Sequence, residues 1–494
     1  MRKLLFFSIL LLLFTTSCQE HQASECNQIY IISTNDIHAN INVMPQLVSL
    51  VKEYSTRGEV LLVDSGDRVV GNAFVDDGEQ PGVPMMVLLN AAGYDVITLG
   101  NHEFDNGREG LNNMLKVIEG EVVCANVKCN KPMDKEIKPY TLITLHDVTL
   151  GFTGVVDTDG GGLPLGNSTS YEDFSITRDV DTAYSICATL SEKADFVVLL
   201  SHMGYTYDEI LAQQGPKCDW IAGGHSHDKV GKEVNGVHIS QNGKNLCCVT
   251  IAQLDVADGE IQKVTYLQEA IDDEVADEQM VELVAHIKSL NPELNSIEGY
   301  ATAFVNKDGV ANFTIDALAN YPYADGFKPE VSFYHYGGIR LSNILPGDIT
   351  RGDIYNNDPF RSTIILGEMS GKQIHDFILA KYNNGTPDAP DKESHYAYLR
   401  SDLAYTIVVG DTPKEAPDAL DIISALGPDK MYRVAMCNYI ANNYIDKSIV
   451  EAQLHESGVS VREAMMHHIH SLNDGLTPDN TVHQKEIHYT ELNK

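Results

Sequence analysis

Positive charge is scarce in this chain of 494 residues: 35 Lys and Arg stand against 70 Asp and Glu, a formal net charge of −35. Such a surface repels phosphate backbones, which argues against nucleic-acid binding unaided by metals, although bound cations can reverse the local field for a small phosphate ester. Long apolar runs are also missing beyond the first residues: nothing after Phe14 approaches the ~18 residues of a membrane-spanning helix. Cysteines in zinc-site spacing, internal repeats and low-complexity tracts are absent as well. Besides Cys18 there are eight cysteines, at 26, 124, 129, 187, 218, 247, 248 and 437. Their even number permits disulfides in an oxidising compartment. The neighbours Cys247 and Cys248 are expected on opposite sides of a strand.

What is present starts with a basic pair, Arg2 and Lys3, then an apolar core from Leu4 to Phe14 and small residues ahead of Cys18. This reads as a secretory signal over residues 1–17. The ending Thr15-Thr16-Ser17-Cys18 resembles a bacterial lipoprotein signal, which implies lipid on Cys18 and a place in the periplasm or on the cell surface of a Gram-negative bacterium, held to the outer membrane. At about 150 residues per domain the chain is too long for one core. The expected division is 25–265, a linker helix within 266–295 carrying IDDEVADEQMVELVAHIKSL, and a second domain over 296–485.

From Gln28 to about Ala257, apolar runs such as IYIIST, EVLLVD, DVITLG and FVVLLS alternate with amphipathic segments, which predicts an α/β layered domain. Polar clusters recur at the C-terminal ends of these runs: TNDIH, SGD, GNHEFD, SHMG and GGHSH. That edge of an open α/β sheet is where ligands bind, so five clusters on one edge suggest one site. The clusters carry Asp36 and His38, Asp67, Asn101, His202, then His225 and His227. In a strand, side chains at i and i+2 point the same way, so D-x-H and H-x-H can each aim two ligands at one point. Carboxylate, imidazole and amide together suit zinc or manganese.

In this order, and in the longer segments STNDIHAN, GDRVVGN and DVITLGNHEFDNG, the chain resembles the 5′-nucleotidase branch of the calcineurin-like metallophosphoesterases. The resemblance implies a four-layer α/β/β/α N-terminal domain followed by a smaller α+β domain. It implies one metal held by Asp36, His38, Asp67 and His227, and a second by Asp67, Asn101, His202 and His225. His102 would donate to the developing phosphoryl charge, with Asp105 holding the imidazole protonated and turned. Glu103 and Phe104 are assigned to structure.

GVANFTIDALAN (309–320) and YGGIRLSNILPGDITRGDIYNNDPF (336–360) resemble the C-terminal domain of 5′-nucleotidases and UDP-sugar hydrolases. That likeness implies a nucleotide substrate in an interdomain cleft, with Arg340 near the phosphate, Gly337 and Gly338 allowing close backbone approach, and Tyr439 stacking on the base opposite Tyr398 or Tyr405. Three stretches depart from the family pattern: His335-Tyr336 before the glycines, Arg361-Ser362 after Pro-Phe, and IANNYIDK, which leaves Asp446 as a substitute ribose ligand. The expected reaction is hydrolysis of nucleoside 5′-monophosphates to nucleoside and phosphate. Alternatives are hydrolysis of UDP-sugars or 2′,3′-cyclic nucleotides on the same metals, or a surface binding protein without catalysis.

Overall fold

A computed structural model of the chain describes residues 27–158, 162–166, 168–271, 275–383, 399–410, 419–443 and 454–492. Cys18, the signal segment, Tyr398 and Asp446 lie outside these residues. Alternation along Asn27–Thr34 explains the layers of the N-terminal unit. Ile29 and Ile31 point into a core shared with Leu61, Val63, Phe152, Val198 and Trp220, whereas Tyr30 and Ile32 point into a second core against helices. A strand buried on both faces must be apolar throughout, and IYII is.

Two six-stranded sheets pack face to face around that first core. One runs Glu260–Ala270, Cys248–Ala257, Asn27–Thr34, Glu59–Asp64, Tyr94–Ile97, Glu121–Val122; the other runs Lys229–Val234, Val237–Asn242, Trp220–Gly223, Phe196–His202, Val148–Val156, Tyr140–Leu145. Helices such as Met44–Ser55 and Val83–Ala92 cover the outer face of the first sheet, and Asp179–Leu190 and Tyr205–Gln213 that of the second. This is the four-layer arrangement expected. The parallel pairings Ile29–Thr34 with Glu59–Asp64 and Trp220–Gly223 with Val198–Ser201 bring the polar clusters to one end of the sandwich.

The first sheet extends to Ala270, past residue 265, and Glu278–Leu290 is not a free-standing connector. Its Met280, Val284 and Ile287 enter the helix-side core of the N-terminal unit, and Asp277, which caps it, takes a charge-assisted hydrogen bond from Lys52. The C-terminal unit has its own core around a five-stranded sheet ordered Leu399–Ser401, Val331–His335, Met431–Cys437, Thr363–Ser370, His455–Ser460. Gln484–His488 adds a parallel strand to Tyr405–Val409, so the stretch beyond Gly475 takes part in the fold. Among the described residues no helix is long and apolar enough to cross a membrane.

Candidate active site

Asp36 and His38 lie beyond the end of their strand, as do His225 and His227, so strand alternation does not aim them. The loops turn through left-handed backbone instead: φ is +49° at Asp36, +45° at His38, +55° at Asp67, +78° at His225 and +59° at His227. Each such non-glycine residue costs about 1–3 kcal/mol and persists only where its surroundings enforce it. Here the loops brace one another: the backbone N–H groups of Asp36, His38 and Ala39 donate to the carbonyls of Gly66, Asp67 and Arg68.

One buried carboxylate organises the next loop. Glu103 accepts from the backbone N–H of Asp67 (3.0 Å), Arg68 (2.9 Å) and Gly100 (2.6 Å), and Arg68, itself wholly buried, pairs with Asp64 at 2.7 Å. Two glycines make the approach possible. A Cβ on Gly100 would sit 2.2 Å from Asp67 Oδ1, and one on Gly66 would sit 2.7 Å from His202 Nδ1.

The result is a cluster of acceptor atoms. His202 Nε2 is 3.3 Å from Asp67 Oδ2 and 3.2 Å from Asn101 Oδ1, which is 3.0 Å from His225 Nδ1. On the other side of Asp67, His38 Nε2 and His227 Nε2 are 2.9 Å apart, and His227 Nε2 is 3.5 Å from Asp36 Oδ1. His202 donates its Nδ1–H to the Ser65 carbonyl at 2.7 Å, and His38 Nδ1 stands 3.2 Å from the Val70 carbonyl. A carbonyl can only accept, so the proton belongs on Nδ1 and the Nε2 lone pair faces the cluster. Ligand atoms about 2.0–2.2 Å from one cation lie about 3 Å apart, so this donor set fits divalent metal ions.

Among the described residues three groups have ligand atoms within 4.8 Å of one another: Asp36, His38 and His227; His38, Asp67 and His102; and Asp67, His202 and His225. Asp67 is common to two, as a bridging carboxylate would be. The structure therefore brings all seven expected ligands together. Within the protein alone the charged forms of Asp36 and His225 are costly: burial pushes Asp36 up to about 7, partly offset by His202, and drives His225 down to about 3. Burial also opposes charge on His202, but Asp67 outweighs it and lifts that ring to about 10.

His102 sits at the rim of the cluster, its Nδ1 2.8 Å from Asp105 Oδ2 and its Nε2 3.8 Å from Asp67 Oδ2. Burial works against its protonation, yet Asp67 and then Asp105 raise it above the ordinary histidine range. From the C-terminal unit, Arg340 Nη2 reaches within 3.3 Å of His38 Nδ1, and the Phe360 ring lies 5.9 Å from that of His102. A cavity of about 1180 Å³ runs from these groups to Gly338 and Tyr439. Tyr439 stands 5.0 Å from His335, ring to ring, at 51°. Tyr405 does not face it: it is buried in the C-terminal core and donates to the Leu399 carbonyl.

Sequence reasoning left Glu103 to structure and missed Arg68 and Phe360 altogether. An acid between His102 and the turn was visible, but its three backbone partners come from loops separated by more than thirty residues.

Two known protein families match the chain in succession. Residues 29–229 match the family described as calcineurin-like phosphoesterase, and residues 284–446 match the 5′-nucleotidase C-terminal domain. The chain is 26% identical to endonuclease YhcR of Bacillus subtilis (strain 168) over 86% of its own length, yet spans only 38% of that protein. It is 28% identical to the 5′-nucleotidase of Bos taurus over 40% of its length and 38% of the relative. The fold superimposes on the 5′-nucleotidase precursor of Thermus thermophilus with a TM-score of 0.78 at 19% identity, covering 93% of this chain and 99% of that one.

Proposed function

The chain belongs to the calcineurin-like phosphoesterases that carry a 5′-nucleotidase C-terminal domain, and on that premise we propose that it is an exported hydrolase of nucleoside 5′-monophosphates, yielding nucleoside and phosphate. The observation that carries this reading is the sharing of Asp67 between two acceptor clusters directly under Arg340. Asp36, His38, Asp67 and His227 would hold one divalent cation, and Asp67, Asn101, His202 and His225 the other. When bound, the pair supplies Lewis acidity toward the phosphoryl oxygens and toward the attacking water.

The chain's own residues do the rest. Arg340 binds a phosphate oxygen through its guanidinium fork and fixes the ester against the cluster. His102, kept charged by Asp67 and Asp105, donates from Nε2 to the oxygen on which negative charge grows. Phe360, 5.9 Å from that imidazole ring to ring, lines the same cavity from the C-terminal unit. Tyr439 and His335 offer ring faces to a base at the far end of the cavity. Lipid on Cys18 would keep the protein at the outer membrane, where its substrates arrive by diffusion.

A cavity of about 1180 Å³ exceeds the usual range of small-ligand sites, about 300–1,000 Å³, which keeps UDP-sugars in view as the larger alternative. Product analysis of AMP, UDP-glucose and a 2′,3′-cyclic nucleotide, each assayed with added zinc or manganese, separates the two: AMP gives nucleoside and phosphate, UDP-glucose gives UMP and glucose 1-phosphate, and the cyclic ester gives a nucleoside monophosphate. Turnover of AMP ahead of the others is expected; uniform inactivity would overturn the reading.

A further inference from the structure

Cys247 and Cys248 do not take opposite sides of a strand. The strand begins at Cys248, and the preceding Asn245 and Leu246 are left-handed (φ +58° and +56°), which swings both thiols to one side. Their sulfurs lie 3.8 Å apart and converge on a single acceptor, the Asn242 carbonyl, at 3.0 Å and 3.3 Å. Cys247 is exposed, so a reagent can reach it, while Cys248 is buried behind it. Contact with the Cys248 thiol, and further off the Lys229 ammonium, hold Cys247 down at about 6 against the effect of its partial burial, the attacking form at neutral pH.

The acceptor that the two thiols share leads to the acid cluster. The Asn242 N–H donates to Asn35 Oδ1 at 3.0 Å, and Asn35 Nδ2 donates to Asp36 Oδ2 at 2.7 Å. On the same turn the Asn245 N–H donates to the Asp36 carbonyl at 2.8 Å, and Lys244 and Asn245 line the cleft.

We propose that Cys247 and Cys248 form a vicinal dithiol site that closes reversibly to a disulfide by exchange with a small-molecule disulfide, and that closure weakens cation binding at Asp36. In the exchange the Cys247 thiolate attacks the oxidant's S–S bond and expels one thiolate. Cys248 then gives up its proton and attacks the Cys247 sulfur, expelling the second. One S–S bond is broken and one formed, two protons pass from the cysteines to the two released thiols, and the oxidant is reduced. Neighbouring Cα atoms are about 3.8 Å apart across a trans peptide, shorter than the about 4.4–6.8 Å of ordinary disulfides, so the closed ring is strained and easily reduced. Closure removes both thiol donors from the Asn242 carbonyl and pulls on the turn that orients Asn35 and Asp36.

The coupling to Asp36 rests on the metal reading of the site; the dithiol chemistry does not. The full chain is equilibrated with glutathione mixtures from reducing to oxidising. Peptide mapping after alkylation then reads the 247–248 link, and chelator competition reads Mn²⁺ affinity, manganese being a poor thiol ligand. The link should appear with oxidation and be accompanied by a loss of Mn²⁺ affinity on the order of tenfold, as for other outer partners of metal ligands. Cys248→Ser, which keeps a donor for the Asn242 carbonyl, should abolish both responses while binding Mn²⁺ like the reduced protein. Absence of the link at every poise, an unchanged affinity on closure, or the same affinity change in Cys248→Ser would each overturn the proposal. Because Mn²⁺ binding needs no turnover, a protein inactive on nucleotides but redox-responsive in affinity would sink only the nucleotidase reading.

Discussion

Asp67 illustrates how much of the site depends on single side chains that touch no substrate. Its position is fixed from behind by Glu103, which takes three backbone N–H groups and faces the buried Arg68 at 3.4 Å. Replacing Glu103 with Ala takes away one of the two carboxylates facing that guanidinium, Asp64 remaining, and leaves the three N–H groups unpaired in the interior, so unfolding of the N-terminal unit in urea should become easier by about 3–5 kcal/mol. His102→Ala is the opposite case. It should cost about 10²–10⁴-fold in kcat while bound metal, counted by elemental analysis, stays near that of the parent protein. At this scale the candidate ligands were legible because few side chains offer lone pairs to a divalent ion and their order along the chain is distinctive. Glu103 was legible as structural, but the groups it holds were not, because three of them are backbone N–H groups, which carry no identity in the sequence.

Loops at strand ends, rather than the strands, aim the donors. The D-x-H and H-x-H pairs do converge, but not by strand alternation: both pairs follow the last strand residue and are turned by left-handed backbone. The same kind of turn before Cys248 put two thiols on one side where a regular strand would have split them. Left-handed non-glycine residues are tertiary constraints, so neither could be read from local pattern. Gly100→Ala tests the loop geometry directly. Its Cβ would lie 2.2 Å from Asp67 Oδ1, and cation affinity should fall with little change in secondary structure by circular dichroism.

The helix Tyr205–Gln213 supports the same edge through Asp208, which accepts from Ser201 Oγ and faces Gln241 Nε2 at 3.4 Å. Burial pushes Asp208 up to about 7, Ser201 and Gln241 opposing, against about 3.9 in an unfolded chain. The folded state thus binds the extra proton between those values, so this group's contribution to stability is full below about 4 and is lost as pH rises through about 7. Asp208→Asn cannot lose a proton. Its melting temperature relative to the parent should be higher at pH 8 than at pH 5; an equal offset at both would contradict this assignment.

Across the whole molecule, the C-terminal unit completes a site that the N-terminal unit begins. Arg340 and Phe360 arrive over His38 and His102, and the approach is held at one edge by Asp77, which takes Arg462 at 2.9 Å and 2.8 Å and Arg361 at 3.0 Å. Asn356 Oδ1 accepts from the Ala73 N–H at 2.6 Å beside them. These ion pairs join residues nearly three hundred or more positions apart, and Arg361 is one of the stretches that depart from the family pattern. The two-unit plan was readable from length and motif order, but how the units meet was not. Asp77→Ala should shift the chain toward open forms, seen as a larger radius of gyration in small-angle scattering and a raised KM.

The central claim is that Asp67 lies between two cations. Anomalous diffraction at the manganese edge from crystals grown with Mn²⁺ tests it most directly. Two peaks about 3.5–4 Å apart with Asp67 bridging them are expected. A single peak, or peaks away from Asp67, would contradict the account.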